Sequence, residues 1–316
     1  MAETIHDNLC EPEGVLILDK PSGLTSFDCV ARVRRLYHTK KVGHTGTLDP
    51  MATGVLPVLI GRTAKAAEYL VTGEKHYLAV LRLGISTDTE DTTGTVLAES
   101  PAIPDEMTVL AALDSFRGDI LQIPPMVSAL KVGGEKLCDL ARRGVTVERE
   151  PRPITVYSLK AEKLTDTDYS LDVVCSKGTY IRTLCADIGK KLGCGGAMAS
   201  LRRAETGGFT LADTHTLEEL EAMTDVERFS LLRPAESLFS DLPRLTLGGF
   251  FLHLAESGQP VFLHKLGHGA ENLPEGAYVR MCSAEKGFFA LGHCESVTDD
   301  TGNARPAVKP VKRFVL

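Results

Sequence analysis

The sequence predicts a protein of the α+β class in which a large domain is followed by a small β-rich module. Helix-like and strand-like segments succeed one another without the strict βαβ alternation of a parallel sheet, which favours a mixed sheet. Two strand-like runs, at 154–164 and 169–176, are separated by a short polar turn, as in an antiparallel hairpin. After Pro243 the apolar runs become short and are broken by Gly, Pro and Asp, as in a compact β-rich module of roughly 70 residues.

The elements of the large domain follow from hydrophobic patterning and from capping signals. An apolar strand at 15–18 precedes a turn, and Thr25 with Asp28 three residues later predicts the start of a helix that runs to Tyr37. Gly193 predicts the end of a later helix as its C-cap. The remaining predicted elements are strands at 55–60, 77–85, 277–283, 288–292 and 311–315, helices at 63–70 and 179–192, and a short helix opened by Thr216 and Glu219.

The charge of the chain is segregated along the sequence. With 35 Lys and Arg against 42 Asp and Glu, the net charge of −7 argues against a generic nucleic-acid-binding protein. However, the stretch from Arg32 to Lys41 contains no acidic residue, and the stretch from Lys177 to Arg203 contains only Asp187. A polyanion senses the local field within about 10 Å, so these stretches predict a phosphate-binding face. The simpler interpretation is two ordinary solvated helix faces.

The composition predicts a globular protein that resides in a reducing compartment. With 316 residues, of which 43% are hydrophobic, the chain can bury a core in one large and one small domain. Residues 1–13 are polar and acidic, so we expect a flexible tail rather than a signal peptide, and no apolar run reaches membrane-spanning length. The eight cysteines lack Cys-x-x-Cys spacing, which predicts buried thiols, no metal site and a cytoplasmic location.

The most informative segment is the octet from Gly43 to Pro50. Its single carboxylate, Asp49, is followed by a proline that favours extended backbone at the preceding residue. The glycines allow unusual backbone conformations and the close approach of a ligand. A site in which one carboxylate oxygen must approach one carbon atom of a substrate needs that carboxylate on a rigid loop. A solvated turn before a proline is the simpler alternative.

Several motifs resemble the TruB family of tRNA pseudouridine synthases, in its bacterial form. The resemblance rests on residues 18–26, 41–57, 77, 87–94, 122–131, 141–144, 178–182 and 201–203, with a closing Lys309–Lys312 that resembles the end of a PUA domain. It implies the pseudouridine synthase fold for residues 14–240: a mixed, largely antiparallel sheet flanked by helices. It also implies a small β-rich PUA-like RNA-binding domain at 244–316, and a mobile insertion at 122–152 that closes over RNA. Val127 and Cys138 stand where many relatives have tyrosine.

The reaction implied by the resemblance is the isomerisation of uridine 55 in the T loop of tRNA to pseudouridine. The nucleotide leaves its stack, the N1–C1′ bond breaks, the uracil turns, and C5 joins C1′. This chemistry is redox-neutral and moves no phosphate, so no cofactor and no metal are expected. The expected partner is the T stem-loop of tRNA, without a membrane, and the protein is expected to be a monomer.

The resemblance also assigns residues to the reaction. Asp49 is the catalytic carboxylate, which either attacks C1′ or supports loss of the 2′ proton. Arg182 pairs with it and favours its ionised form, and Tyr77 stacks on the extruded uracil. The expected substrate-binding residues are His44, which fills the space left in the RNA loop, Tyr180 and Leu201 of the pocket wall, Lys20, which supports the Asp49 loop, and Gly43, Thr45 and Arg202.

The same residues have simpler interpretations outside the family. Tyr77 and Leu201 would then be core residues, His44 a hydrogen-bonded loop histidine, and Arg182 a surface phosphate contact. Two other functions also fit the motifs: a guide-RNA-dependent synthase within a ribonucleoprotein, and a non-catalytic tRNA-binding or folding protein. The long 122–152 segment argues against the first, as do Thr45 and the pair Met51-Ala52. Activity of the chain alone, and the effect of Asp49→Asn, distinguish these functions.

Overall fold

Two β-sheets organise the chain, which a computed structural model describes over residues 11–70, 73–267, 272–299 and 301–314. The larger sheet belongs to the first 240 residues, and a separate five-stranded sheet begins at Arg244. The predicted α+β class is therefore confirmed, as is the change of pattern after Pro243. Most of the tail predicted at 1–13 lies outside the described residues.

The larger domain contains thirteen strands and six α-helices among its described residues. Its strands are β1 (Gly14–Lys20), β2 (Val42–His44), β3 (Thr53–Ile60), β4 (Lys75–Leu83), β5 (Ile85–Thr87), β6 (Val96–Glu99), β7 (Gly118–Gln122), β8 (Lys131–Val132), β9 (Glu135–Lys136), β10 (Arg152–Lys163), β11 (Asp168–Cys175), β12 (Gly196–Thr206) and β13 (Phe209–Thr210). Its α-helices are α1 (Ser26–Leu36), α2 (Glu106–Ala112), α3 (Leu137–Arg142), α4 (Ile181–Leu192), α5 (Leu217–Ala222) and α6 (Asp225–Ser230). Short 3₁₀ helices lie at Gly61–Tyr69, Leu113–Phe116, Leu211–Asp213 and Ala235–Phe239.

The local signals for helix ends and turns are confirmed. Thr25 caps α1 in a capping box with Asp28, and Gly193 ends α4 with a left-handed φ of 75°. The two runs predicted as a hairpin are β10 and β11, which pair antiparallel. The helix predicted at 63–70 is present as the 3₁₀ helix Gly61–Tyr69.

The larger sheet is mixed and largely antiparallel, as predicted. Its order is β1-β3-β12-β4-β11-β10-β7, with β2 paired to β3 and β13 to β12. Only the β3–β12 pair is parallel among the described strands of this sheet. The central strand β12 has no counterpart among the predicted strands. It contains two bulges, and each bulge interrupts the alternation of apolar and polar residues that a strand prediction depends on.

The two faces of the larger sheet carry two hydrophobic cores. On one face, Leu56 and Leu81 belong to the core that includes residues of α1, α2 and α4. On the other face, Val15 and Val55 pack with aromatic residues of the C-terminal sheet, among them Phe288. Burying one such side chain contributes about 1.5–3 kcal/mol, so this second core binds the two domains to each other.

Over its described residues, the C-terminal module contains a five-stranded sheet, an α-helix and a 3₁₀ helix. Its elements are β14 (Arg244–Leu247), α7 (Gly249–Glu256), β15 (Val261–Phe262), the 3₁₀ helix Leu263–Lys265, β16 (Tyr278–Ser283), β17 (Gly287–Thr298) and β18 (Ala304–Arg313). The strand order is β14-β16-β17-β18-β15. The strand predicted at 311–315 begins earlier, because β18 pairs with nearly the whole of the long strand β17.

The segment predicted to close over RNA begins and ends at the same point on the edge of the larger sheet. Gln122 at the end of β7 pairs with Arg152 at the start of β10. Between them lie the β8–β9 hairpin and α3, whose Leu137 and Leu140 are buried. The insertion is therefore a folded excursion from the sheet edge.

Other composition-based expectations concern thiols, metals and membranes. The seven cysteines of the described residues are all free, and six of them are buried. Within the described ranges, no group of three or more His, Cys, Asp or Glu is placed to hold a metal ion. No helix in this part of the chain has the length and hydropathy needed to cross a bilayer.

Candidate active site

Asp49 lies on the loop between β2 and β3, and the backbone of this loop is anchored to its neighbours. The amide of Leu48 donates to the hydroxyl of Ser26 over 2.9 Å, and the hydroxyl is 3.1 Å from the carbonyl of Leu48. The amide of Thr45 donates to the carbonyl of Pro57 over 3.2 Å. The Asp49 side chain remains 32% exposed. A fixed loop therefore presents a carboxylate that a ligand can reach.

Lys20, fully buried at the end of β1, holds the second half of the same loop. Its ammonium donates to the carbonyls of Ala52 over 2.6 Å, Pro21 over 2.9 Å and Pro50 over 3.2 Å. Burial lowers the pKa of Lys20, and the negative charge of Asp49 acts against that shift. Lys20 thus stands where a residue that supports the Asp49 loop is expected.

Replacing Lys20 by methionine should loosen this loop, because two of its carbonyls lose a charged donor. We expect Lys20→Met to lower the free energy of unfolding by about 2 kcal/mol and turnover by roughly 10-fold to 100-fold through misplacement of Asp49. Urea denaturation and the rate of the isomerisation that the resemblance implies measure the two effects. Lys286→Met, which removes an exposed ion pair with Glu256, is the control and should change neither by much. Unaltered stability and turnover in Lys20→Met would contradict the role.

Arg182, at the start of α4, forms a two-bond pair with Asp49. Its Nε donates to Oδ2 of Asp49 over 2.8 Å, and its Nη2 donates to Oδ1 over 3.2 Å. Nη1 donates to the carbonyl of Thr89 over 3.0 Å, and Nη2 also donates to that of Val127 over 2.8 Å. Only 4% of the Arg182 side chain is exposed. Because the Val127 contact uses the backbone, it does not depend on the tyrosine that many relatives have at this position.

The loop between β5 and β6 completes the surroundings of Arg182. Asp91, which is buried, has Oδ2 4.0 Å from Nε of Arg182. Glu90 adopts a left-handed φ of 64° and accepts a hydrogen bond from the hydroxyl of Thr183 over 2.5 Å; burial raises its pKa. These residues had no predicted role. The acidic run at 87–94 was the available signal, but sequence alone does not show which of its carboxylates faces α4.

Tyr77 lies opposite Arg203 on the neighbouring strands β4 and β12. Tyr77 is 5% exposed and Arg203 is 1% exposed. Arg203 donates to the carbonyls of Val55 over 2.7 Å and Gly46 over 3.3 Å, and its guanidinium acts electrostatically on the phenol of Tyr77. Burial raises the pKa of Tyr77, and the charge of Asp49 adds to that shift. The phenol is therefore protonated at neutral pH and lies within electrostatic reach of Asp49.

The glycines of the octet supply space and not unusual backbone. Neither Gly43 nor Gly46 has a positive φ, so the expectation of special backbone there is wrong. A Cβ on Gly46 would lie 3.5 Å from Nη1 of Arg203 and 3.8 Å from Nζ of Lys75. Gly54 is the glycine that its backbone requires, with φ +101° and a Cβ position 2.2 Å from the carbonyl oxygen of Arg203.

His44 and Tyr180 lie at the ends of elements that border the Asp49 loop. His44 ends β2, and its Nδ1 accepts a hydrogen bond from the amide of Gly46 over 3.3 Å. Burial, and then the charge of Arg203, lower the pKa of His44, which favours the neutral imidazole. Tyr180 caps α4, and its backbone exchanges hydrogen bonds of 2.8 and 3.1 Å with the side chain of Gln122. This pair ties the start of the 122–152 insertion to the helix that carries Arg182.

Leu201 and Arg202 point to opposite faces of the larger sheet. Leu201 lies in the same core as Tyr77. Successive residues of a strand alternate between faces, so Arg202 points away, donating to Asp19 over 2.8 Å and to the Thr53 hydroxyl over 3.3 Å. Arg202 borders a cavity of about 860 Å³, whose lining also includes Thr53 and the neighbouring Leu201. The structure thus brings together Asp49, Arg182, Tyr77, His44, Tyr180, Leu201, Lys20, Gly43 and Thr45, and separates Arg202 from them.

This geometry suits chemistry at a sugar carbon. Both oxygens of Asp49 are held in place by hydrogen bonds from Arg182, and part of the carboxylate stays accessible. Tyr77 and Leu201 provide apolar surface that a flat base can contact.

Comparison with known proteins defines the class. The model of the TruB family pseudouridylate synthase N-terminal domain matches residues 34–181, and that of the tRNA pseudouridylate synthase B C-terminal domain matches residues 182–240. The fold is similar to that in the crystal structure of a Cbf5-Nop10-Gar1 complex, with a TM-score of 0.71 and 25% identity over 96% of this chain and 85% of that chain. The protein is therefore a pseudouridine synthase.

Curated relatives narrow this class to one family. The tRNA pseudouridine synthase B of Neisseria gonorrhoeae (strain NCCP11945) is 43% identical over 279 residues, which are 88% of this chain and 89% of that protein. Its counterpart in Clostridium kluyveri is 50% identical over 210 residues, 66% of this chain and 73% of that protein. The chain belongs to the TruB family of tRNA pseudouridine synthases.

Proposed function

We propose that this protein converts uridine 55 in the T loop of tRNA to pseudouridine, with Asp49 as the catalytic carboxylate. The observation that carries the assignment is the two-bond pair between Arg182 and Asp49 on a loop held by Lys20. The names of the relatives, tRNA pseudouridine synthase B, support the substrate.

The reaction needs one carboxylate and no external reagent. The N1–C1′ bond of the flipped nucleotide breaks while Asp49 either attacks C1′ or supports loss of the 2′ proton. The detached uracil turns in the pocket, and its C5 forms the new bond to C1′. In the path through loss of the 2′ proton, that proton returns to C2′ as C5 joins C1′. C5 then loses its proton, N1 carries one, and the Asp49 carboxylate is regenerated. Arg182 keeps the carboxylate oriented through these steps, because its guanidinium is buried and fixed by two backbone carbonyls as well.

The pocket residues act on the flipped base and on the RNA loop. Tyr77 stacks on the uracil, and Leu201 and Tyr180 form the pocket walls. The imidazole of His44, whose pKa is lowered, enters the space that the base leaves. Flipping the nucleotide out of its stack costs a few kcal/mol, and the contacts with these pocket residues offset that cost.

Two further parts of the chain contact RNA in this proposal. The 122–152 insertion, whose Gln122 bonds to Tyr180 and whose Val127 bonds to Arg182, closes over the bound stem-loop. Its basic residues are Lys131, Lys136, Arg142, Arg143, Arg149 and Arg152. The C-terminal sheet acts as a PUA-like module that adds RNA contacts, and the enzyme works as a monomer in the cytoplasm.

Release of tritium from C5-labelled uridine in T-stem-loop RNA tests the function. The purified chain, without metal, cofactor or guide RNA, should release the label in step with pseudouridine formation. A guide-RNA-dependent synthase would release none until its RNA and partner proteins were added, and a tRNA-folding protein would bind the stem-loop without release. Gel filtration of the 34.1 kDa chain should give the mass of a monomer.

A further inference from the structure

Two cations beside the octet form no ion pair with any carboxylate in the described part of the chain. Arg203 is almost fully buried, and it donates hydrogen bonds to the carbonyls of Val55 and Gly46. Among the described residues, Nζ of Lys75 makes no hydrogen bond or ion pair, and neither Lys75 nor Arg203 forms an ion pair with a carboxylate. Both side chains lie beside Gly46, since a Cβ there would be 3.5 Å from Nη1 of Arg203 and 3.8 Å from Nζ of Lys75.

These cations repel each other in the free protein. Burial lowers the pKa of Lys75, and the charges of Arg203 and then Lys177 act in the same direction. The opposing influence comes from the thiol of Cys175 and not from a carboxylate. Buried charge is ordinarily paired, so a cluster of like charge beside a catalytic loop is costly unless an anion binds there.

A cavity leads to this cluster from the junction of the two domains. It has a volume of about 240 Å³, and its lining includes Lys75, Lys177 and Thr45 of the octet together with Tyr69 and Tyr278. Tyr278 belongs to the C-terminal sheet, so both domains contribute to the wall. Asp241 also lines the cavity, but it is not among the charges that act on Lys75.

We propose that this cavity is a phosphate-binding site, in which Lys75 and Lys177 contact one backbone phosphate of the RNA and Arg203 supplies further positive field. The inference rests on the proposed function and names a contact of the substrate that lies outside the uracil pocket. An RNA strand that places a nucleotide at Asp49 carries a phosphate on each side of that nucleotide. Because Thr45 lines the cavity and lies on the same loop as Asp49, one of these nearby phosphates can reach Lys75. The site thereby positions the strand on which the flipped nucleotide is carried.

Neutral linkages in the RNA test the site without altering the protein. Single methylphosphonates are introduced in turn across the T loop, and the affinity of the wild-type chain is measured for each. We expect one linkage next to the target uridine at which neutralisation lowers affinity about tenfold. In Lys75→Met, affinity for unmodified RNA should fall by a similar factor, and the same methylphosphonate should cost less than about twofold. The slope of log affinity against log salt should also decrease by about one.

Further variants separate binding from structure. Lys75→Arg should restore most of the affinity and the salt slope, because it returns the charge. Lys163→Met removes a lysine paired with Asp166 on the distant β10–β11 turn and should leave the salt slope as in wild type. Lys75→Met should unfold at the same or higher urea concentration, since it removes repulsion from Arg203. A purely structural lysine would instead give lower stability.

Two results would overturn the phosphate site. One is a wild-type salt slope in Lys75→Met, and the other is a methylphosphonate penalty that persists unchanged in that variant. Either result would leave the proposed function standing as long as Asp49→Asn still abolishes conversion. If the wild-type chain itself released no tritium, the proposed function would fail instead.

Discussion

Asp49→Asn is expected to abolish pseudouridine formation while the protein still folds and binds its RNA. The amide retains the shape of the side chain but cannot act as a nucleophile or accept a proton at the sugar. Loss of such a group lowers turnover by about four orders of magnitude or more. Tritium release under single-turnover conditions measures the rate, and filter binding of the T stem-loop measures affinity, which should change less than about threefold.

The structure explains why Asp49→Asn should fold. Arg182 loses a full negative charge, but its bonds to the carbonyls of Thr89 and Val127 remain, and the carboxylate of Asp91 is 4.0 Å away. Asp168→Asn is the matched control, because Asp168 forms a similar two-bond pair with Arg82 elsewhere in the sheet. The control should convert uridine at the wild-type rate. Pseudouridine formation by Asp49→Asn would refute the assignment of the catalytic carboxylate.

Arg182→Lys is expected to produce the second-largest loss, although the substitution preserves the charge. Arg182 makes four hydrogen bonds in one plane, two to Asp49 and two to backbone carbonyls. A lysine has one nitrogen and cannot hold both carboxylate oxygens and both carbonyls at once. We expect turnover to fall about 100-fold to 1000-fold and the free energy of unfolding to fall by about 2 kcal/mol.

Arg82→Lys provides the comparison for this second variant. Arg82 donates to Asp168 over 2.8 and 2.7 Å, but its side chain is 44% exposed and lies outside the candidate site. It should lose little stability, since exposed ion pairs contribute about 0–1 kcal/mol, and should keep its turnover. If Arg182→Lys matched Arg82→Lys in both measurements, orientation of Asp49 by a buried guanidinium would not be required.

The sequence predicted the features whose signals are local. The capping box of Thr25, the C-cap at Gly193 and the β10–β11 hairpin each depend on a few neighbouring residues. The octet likewise contains its carboxylate and its proline side by side. Where a segment contained its own capping or turn residues, the predicted element appeared at nearly the predicted residues.

Prediction failed where pairing across the sheet determined the structure. Strand β12 joins the middle of the sheet between β3 and β4, and its two bulges obscure the alternation that marks a strand. Arg203 on this strand is among the most buried charged residues described. Two consecutive arginines, here Arg202 and Arg203, ordinarily indicate a solvent-exposed segment. Lys75 lies close to Arg203 because of the register between β4 and β12, and no feature of the sequence indicated this proximity.

The amino-acid sequence by itself determined which reactive groups are available. It supplies one aspartate on a loop that ends in proline, basic stretches beside it, and motifs of a single enzyme family. Only the tertiary structure decided how that chemistry is assembled. It brings Arg182 to Asp49 across 133 positions of sequence and places Arg202 on the far face of the sheet. The physical reason is that capping and turns are satisfied by neighbours in sequence. The partner of a buried charge depends instead on the order and register of strands that are distant along the chain.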